Sequence, residues 1–293
     1  MGVVKRLATS ALVLEMLLVV TGTAVRVTGS GLGCPTWPRC TGSSLTNTAQ
    51  LGGHGYIEFG NRLLAVVMEA VGIWLVLAVR RHRPEWTRLA LVQAAVVPVQ
   101  AVIGGLLVLS GLNPYVLILH FLTSFPLVFA AAALLHRMKG EQVGHPLSQQ
   151  LATGVLVATS AVLIIGTLVT GTGPHAGDPK VKRLPFDPRD LTQVHADAAY
   201  LLLGLVVALV VSTPLRRWSL VLLALVLAQG VVGYVQYFNG VPPLLVDIHV
   251  ALATCVFTTA SWLLLSARSP ARTAAPSPER AAGTATVPSP RAR

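Results

Sequence analysis

The sequence predicts an all-α integral membrane protein, with eight transmembrane helices arranged as two pseudo-symmetric parallel four-helix bundles. Three observations predict this: long apolar runs, a one-sided distribution of basic residues, and an internal repeat. Of the 293 residues, 53% are hydrophobic and only 11% are charged, where a soluble domain carries about 25% charged residues. The apolar residues fall into eight runs of spanning length, at 7–27, 58–79, 89–110, 114–136, 150–170, 192–213, 217–238 and 243–266. Backbone polar groups must be satisfied inside a bilayer, so such runs form helices. The residue-by-residue alternation of a transmembrane barrel is missing. The first run is too long, and too poorly followed by a small-residue cleavage site, for a removed signal peptide, so it reads as a retained span.

The formal charge of +11 would suit a nucleic-acid binder, but its distribution argues against one. Fifteen of the 22 Lys and Arg gather at one face: Lys5 and Arg6, four between 80 and 88, Arg137 and Lys139, Arg216 and Arg217, and five beyond 267. This is the positive-inside pattern. It predicts a multi-pass protein of a bacterial cell membrane with both termini cytoplasmic. The outer loop 171–191 is an exception, since it carries Lys180, Lys182, Arg183 and Arg189.

The repeat runs through the spans in order. VTGSG at 27–31 returns as VTGTG at 169–173, at the outer ends of the first and fifth spans. In the third and seventh, Gln100 and Gly104 return as Gln229 and Gly233. In the fourth and eighth, Pro114 and His120 return as Pro243 and His249. Four spans per unit bring the chain back to its starting side, so the copies are parallel. The expected organisation is an N-terminal half at 1–140, a C-terminal half at 141–266, and a disordered cytoplasmic tail at 267–293, rich in Ala, Pro, Ser and Arg.

The chemistry-bearing residues cluster toward the outer face. His195 and His249 begin the sixth and eighth spans. Ionisable residues inside a membrane are functional candidates by default. Two inward imidazoles from facing helices suit both axial positions of a haem iron. Hydrogen bonding to neighbouring helices is the structural alternative. In the first half, His120 matches His249, but Asn61 stands where the second half has His195, and an amide is a poor iron ligand. His54 is an alternative ligand there. One reactive pocket and one electron-transfer pocket are therefore expected. Glu58 shares a helix face with Asn61. It suits proton or water handling beside a porphyrin, or else a helix-start carboxylate favoured by the dipole. Arg26 and Arg62 suit haem propionates or interfacial snorkelling. Gln100 and Gln229 read as interhelical hydrogen-bonding groups. Glu15 and Glu69 read as interhelical pairs or as part of a proton or quinone path. His136 reads as cytoplasmic. Cys34 and Cys40 lie in the first outer loop, where both a disulfide and a free redox-active pair are open, and Cys255 reads as a small apolar filler.

The first-loop GLGCPTWPRC, the following IEFGNR, the eight spans and the repeated histidines together resemble the haem A synthase family, in particular its actinobacterial forms. The resemblance covers nearly the whole chain apart from the tail. It implies an oxidoreductase acting on a CH group, which converts a methyl group of haem O to the formyl group of haem A for cytochrome oxidase. It implies haem b held by His195 and His249, and substrate haem O in a pocket containing His120, Asn61 and Arg62. It further implies an essential carboxylate at Glu58, a disulfide between Cys34 and Cys40, and haem O synthase and oxidase assembly factors as partners. Asn61 departs from the histidine that many members carry there. Two other classes fit the residues alone: a di-haem membrane electron carrier of the quinone-reductase kind, and a transporter.

Overall fold

A computed structural model describes residues 2–139, 142, 144–175, 177–178 and 180–268; the tail, apart from Ala267 and Arg268, lies outside the described residues. Regular structure among them is helical throughout: α1 (Gly2–Val27), α2 (Gly52–His82), α3 (Thr87–Leu109), α4 (Pro114–Leu122), α5 (Ser124–Lys139), α6 (Pro146–Thr172), α7 (Pro188–Ser212), α8 (Arg216–Phe238) and α9 (Pro243–Ala267), with two short 3₁₀ turns before α2 and α3. With α4 and α5 taken as one span, eight spans are long and apolar enough to cross a membrane, so this is a multi-pass membrane protein.

Helix ends follow local chemistry. Proline, whose missing N–H costs nothing at a helix start, opens α4, α6, α7 and α9. The side chains of Asn113 and Asp187 accept hydrogen bonds from the first backbone N–H groups of α4 and α7. Two boundaries differ from expectation. Helix α2 starts six residues before Glu58, because hydropathy overlooks its Gly-rich outer turns; Glu58 is therefore inside the helix and buried, not a helix-start residue. The fourth span is also broken at Thr123. Pro126 lacks the N–H that would bond to the Leu122 carbonyl, and its ring crowds that carbonyl. The matching position in α9 is Cys255, and α9 runs through unbroken. At the break, Thr123 Oγ1 donates to Gln100 Oε1 (3.0 Å) and Gln100 Nε2 donates to Ser124 Oγ (2.8 Å).

The helices pack as two rings. The first runs α1, α2, α3, then α4 and α5, and back to α1; the second runs α6, α7, α8, α9 and back to α6. Contacts of α1 with α9, α4 with α6 and α5 with α9 join them, the set that two like rings related by a twofold axis would make. Each ring has its own packed core, around Met68, Leu75 and Leu134 in the first and Val206, Leu222 and Leu263 in the second. Phe125 meets Phe257 edge-on between the rings, with centroids 5.0 Å apart. Lipid is as apolar as these cores, so close packing of small residues such as Ala130–Ala133, together with interhelical hydrogen bonds, must supply the cohesion. One such bond joins the ends of α5 and α9. His136 is buried there: its Nε2 meets Ser266 Oγ at 3.0 Å, and its ring lies edge-on to Trp262.

The repeat also holds at the backbone. In the turn from α3 to α4, N–H groups of Ser110, Gly111 and Leu112 donate to the carbonyls of Leu106, Val108 and Leu107. In the turn from α8 to α9, Asn239, Gly240 and Val241 donate to Val235, Tyr237 and Gln236, bond for bond at the repeat register. Leu112 and Val241 both adopt positive φ, 60° and 59°. That conformation costs a side-chain-bearing residue roughly 1–2 kcal/mol, so the turn shape is held by its surroundings in both rings.

Candidate functional site

The imidazoles of His120, His195 and His249 each rest on a glycine of a neighbouring helix. A Cβ added at Gly166 of α6 would lie 3.0 Å from the His195 ring, at Gly233 of α8 3.3 Å from His249, and at Gly104 of α3 3.1 Å from His120. The lack of a side chain at Gly104, Gly166 and Gly233 makes room for the rings. Nδ1 of His120 and of His249 is buried without a hydrogen-bond partner, and the Val162 carbonyl lies within reach of the His195 ring. Buried polar nitrogens left unpaired are costly unless a ligand accounts for the arrangement.

In the second ring, His195 and His249 face each other with ring centroids 6.3 Å apart. Metal–imidazole bonds of about 2.0 Å and a ring radius of about 1.1 Å would put two trans imidazoles at roughly that separation. Among the described residues no three His, Cys, Asp or Glu converge on one point, so a bare ion finds no ligand set there. Two opposed imidazoles suit an iron whose other four donors come from a macrocycle. The pair therefore fits a haem.

The first ring is different. His120 has its glycine cradle, but Asn61 is tied to α1, where Thr21 Oγ1 donates to its Oδ1 at 2.7 Å. Above this pocket the first outer loop is pinned to α2. Cys34 and Cys40 form a disulfide with Cα atoms 4.4 Å apart. The Cys34 N–H donates to Glu58 Oε2 at 2.6 Å, and Arg62 pairs with Glu58 Oε1. Arg62 also donates to the carbonyls of Cys34 (3.0 Å), Thr36 (3.1 Å) and Arg39 (3.3 Å). Gly33 lies so close to α2 that a Cβ would fall 2.2 Å from the His54 carbonyl oxygen, and Gly105 faces the Trp37 ring. The loop therefore crosses from α2 to α3, one residue from the His120 cradle.

A profile of the family described as "Cytochrome oxidase assembly protein" (COX15-CtaA) matches residues 5–52 and 47–177. The chain belongs to this family. Its relatives include proteins named Heme A synthase. The one from Geobacillus kaustophilus is 27% identical over 94% of this chain and 95% of its own length. That from Geobacillus thermodenitrificans is 28% identical over 90% and 91%, and that from Listeria monocytogenes 27% over 85% and 90%.

For this member of the cytochrome oxidase assembly protein family, the structure brings together His195 with His249, and Glu58 with Arg62 and the disulfide loop. Arg26 and Arg62 do not snorkel. Arg26 is buried at the end of α1 and coupled electrostatically to Asp247 at the start of α9, while the Arg62 guanidinium is engaged by Glu58 and the loop carbonyls. His54 is held outside the ring by Ser30 Oγ at 2.9 Å from its Nδ1. Gln229 Nε2 donates to the His249 carbonyl (3.0 Å), which places the helix turn that carries the imidazole. The interhelical pairing expected of Glu15 is not found: both its oxygens are buried without a partner, as is Oε2 of Glu69. Thr21, Gly166 and Trp37 were not singled out from sequence. Gly166, three residues before the repeated VTG motif, was the one with a signal to follow.

Proposed function

We propose that this protein is a haem A synthase, which oxidises a methyl group of haem O to the formyl group of haem A for cytochrome oxidase. The observation that carries the reading is the inequality of two otherwise matched pockets: facing imidazoles in the second ring, and one imidazole with a tethered amide in the first. Family membership and the names of the relatives support it.

In this reading residues 141–266 form the half that holds haem b through His195 and His249; that group supplies one-electron transfer when bound. Residues 1–140 form the substrate half. His120 holds the iron of haem O, and Asn61 offers no second strong ligand, so one face of the substrate stays accessible. The farnesyl tail favours lateral access from the lipid. The methyl group is oxidised by two electrons to an alcohol and by two more to a hydrated aldehyde that loses water; the electrons would leave through the second half to an external acceptor, and the protons to solvent. Glu58 handles protons or water at the mouth, while Arg62 fixes its carboxylate and the loop above it. Both termini are cytoplasmic and the pockets open toward the outer face of a bacterial cell membrane. Haem O synthase and oxidase assembly factors are the partners before and after this step.

The test is extraction and chromatography of haems from the purified protein expressed with a haem O supply. Haem A or its hydroxylated precursor is expected. Glu58→Ala should keep the second-ring haem and lose about a hundredfold in conversion, the low end for general acid–base groups; full activity would remove Glu58 from the mechanism. Unmodified haem alone, from an aerobic preparation supplied with haem O, would favour a di-haem electron carrier.

A further inference from the structure

The first pocket holds an amide where the second holds an imidazole, and that amide is hydrogen-bonded to α1. Thr21 Oγ1 gives its one proton to Asn61 Oδ1 at 2.7 Å, a shorter contact than its 3.4 Å approach to the Leu18 carbonyl. With its oxygen occupied, Asn61 presents Nδ2, which carries two N–H donors and has no hydrogen-bond partner among the described residues. At the repeat register Thr21 corresponds to Leu163, an apolar residue that cannot orient a polar neighbour. At these registers the second ring carries leucine and histidine, and the first carries threonine and asparagine. Asn61 occupies the position from which, in the other ring, His195 faces His249.

We infer that Thr21 and Asn61 form a donor site for a small diatomic or anionic ligand held opposite His120: Asn61 Nδ2 hydrogen-bonds to that ligand, and Thr21 is the positioning residue that keeps the amide in this rotation. The inference rests on the reading that His120 holds a haem. It deepens that reading by giving the vacant side of the iron a chemical preference. An amide donor discriminates among small ligands by their acceptor strength, whereas an imidazole at the same place would itself bind the iron and exclude them.

The experiment uses the full-length protein purified with haem O supply, reduced with dithionite and exposed to carbon monoxide, with cyanide titrated into the oxidised form. One haem should bind carbon monoxide and the other should remain low-spin. Removing the donor in Asn61→Val, or releasing it in Thr21→Val, should move the C–O stretch to higher frequency and weaken cyanide about fivefold, the worth of one neutral hydrogen bond. Thr21→Ser keeps the hydroxyl and should keep the wild-type stretch. Asn61→His should abolish carbon monoxide binding and produce a second low-spin haem. If His120→Ala removes the carbon monoxide-binding haem while the stretch is the same in wild type, Asn61→Val and Thr21→Val, the donor site is refuted and the pocket reading stands. Survival of that haem in His120→Ala would instead overturn the pocket reading itself. Failure of the wild type to bind carbon monoxide with both haems low-spin would mean that another side chain fills the sixth position, and the donor site would fall.

Discussion

The two rings share a scaffold and diverge at their working ends. Both have the same strained turn ahead of the fourth helix, a glutamine reaching toward that helix, and a histidine laid on a glycine. In the second ring the helix that carries the histidine is continuous, and a second imidazole faces it. In the first, the helix is broken at Thr123, three residues before Pro126, Asn61 replaces the imidazole, and a disulfide loop is stapled over the pocket by Glu58 and Arg62. A repeated fold therefore keeps the supports of a site while a few substitutions change what the site can do. The supports lie in backbone turns and small residues, which constrain position; the differences lie in side chains, which set chemistry.

The comparison is broken most directly by removing one histidine from each ring. His249→Ala should abolish the low-spin haem signal and leave the first pocket's spectrum intact, while His120→Ala should do the reverse; optical and electron paramagnetic resonance spectra of the purified variants check it. Equal loss in both variants would mean that the pockets are not independent. A smaller effect is expected from Gly33→Ala. Its Cβ would meet the His54 carbonyl at 2.2 Å, and backbone cannot yield cheaply, so the loop should lift from α2 at a cost of about 2–3 kcal/mol. Conversion should fall while the second ring's haem spectrum is unchanged; a wild-type melting temperature in detergent would show that the loop does not depend on this contact. The smallest effect belongs to Pro126→Ala. It restores one backbone hydrogen bond, worth about 1 kcal/mol, and draws Thr123 and Ser124 away from Gln100. The melting temperature should shift by a few degrees at most, and any spectral change should be confined to the first pocket.

Sequence carried the architecture well because the membrane imposes it. Apolar runs of spanning length are a bulk signal, and the eight spans could be read from them. The facing of His195 and His249 was legible because repeated residues at helix starts point to a shared geometry. The finer features were hidden for identifiable reasons. The outer turns of α2 are polar and glycine-rich, so hydropathy cut them off and put Glu58 at a helix start. Pro126 was visible, but it sits inside a strongly apolar run that masks a helix break. Counting spans placed His136 near a helix end but could not show that α5 ends against α9, where its ring is buried. Thr21 is one threonine among many in apolar helices, and its partner lies 40 residues away; only coordinates join them.

The strained turns have a consequence for energetics. Each histidine follows its turn at the same distance, six residues into a helix opened by proline, Pro114 to His120 and Pro243 to His249. At 1.5 Å per residue that places both imidazoles about 9 Å below the mouth of their helix. Under the proposed function, haem groups held by these two histidines would sit at equal depth, side by side in the plane of the bilayer. An electron passed between them would cross almost none of the transmembrane voltage, which otherwise exacts about 2.3 kcal/mol per charge for each 100 mV. Traffic between the pockets would then proceed alike in an energised and a de-energised cell.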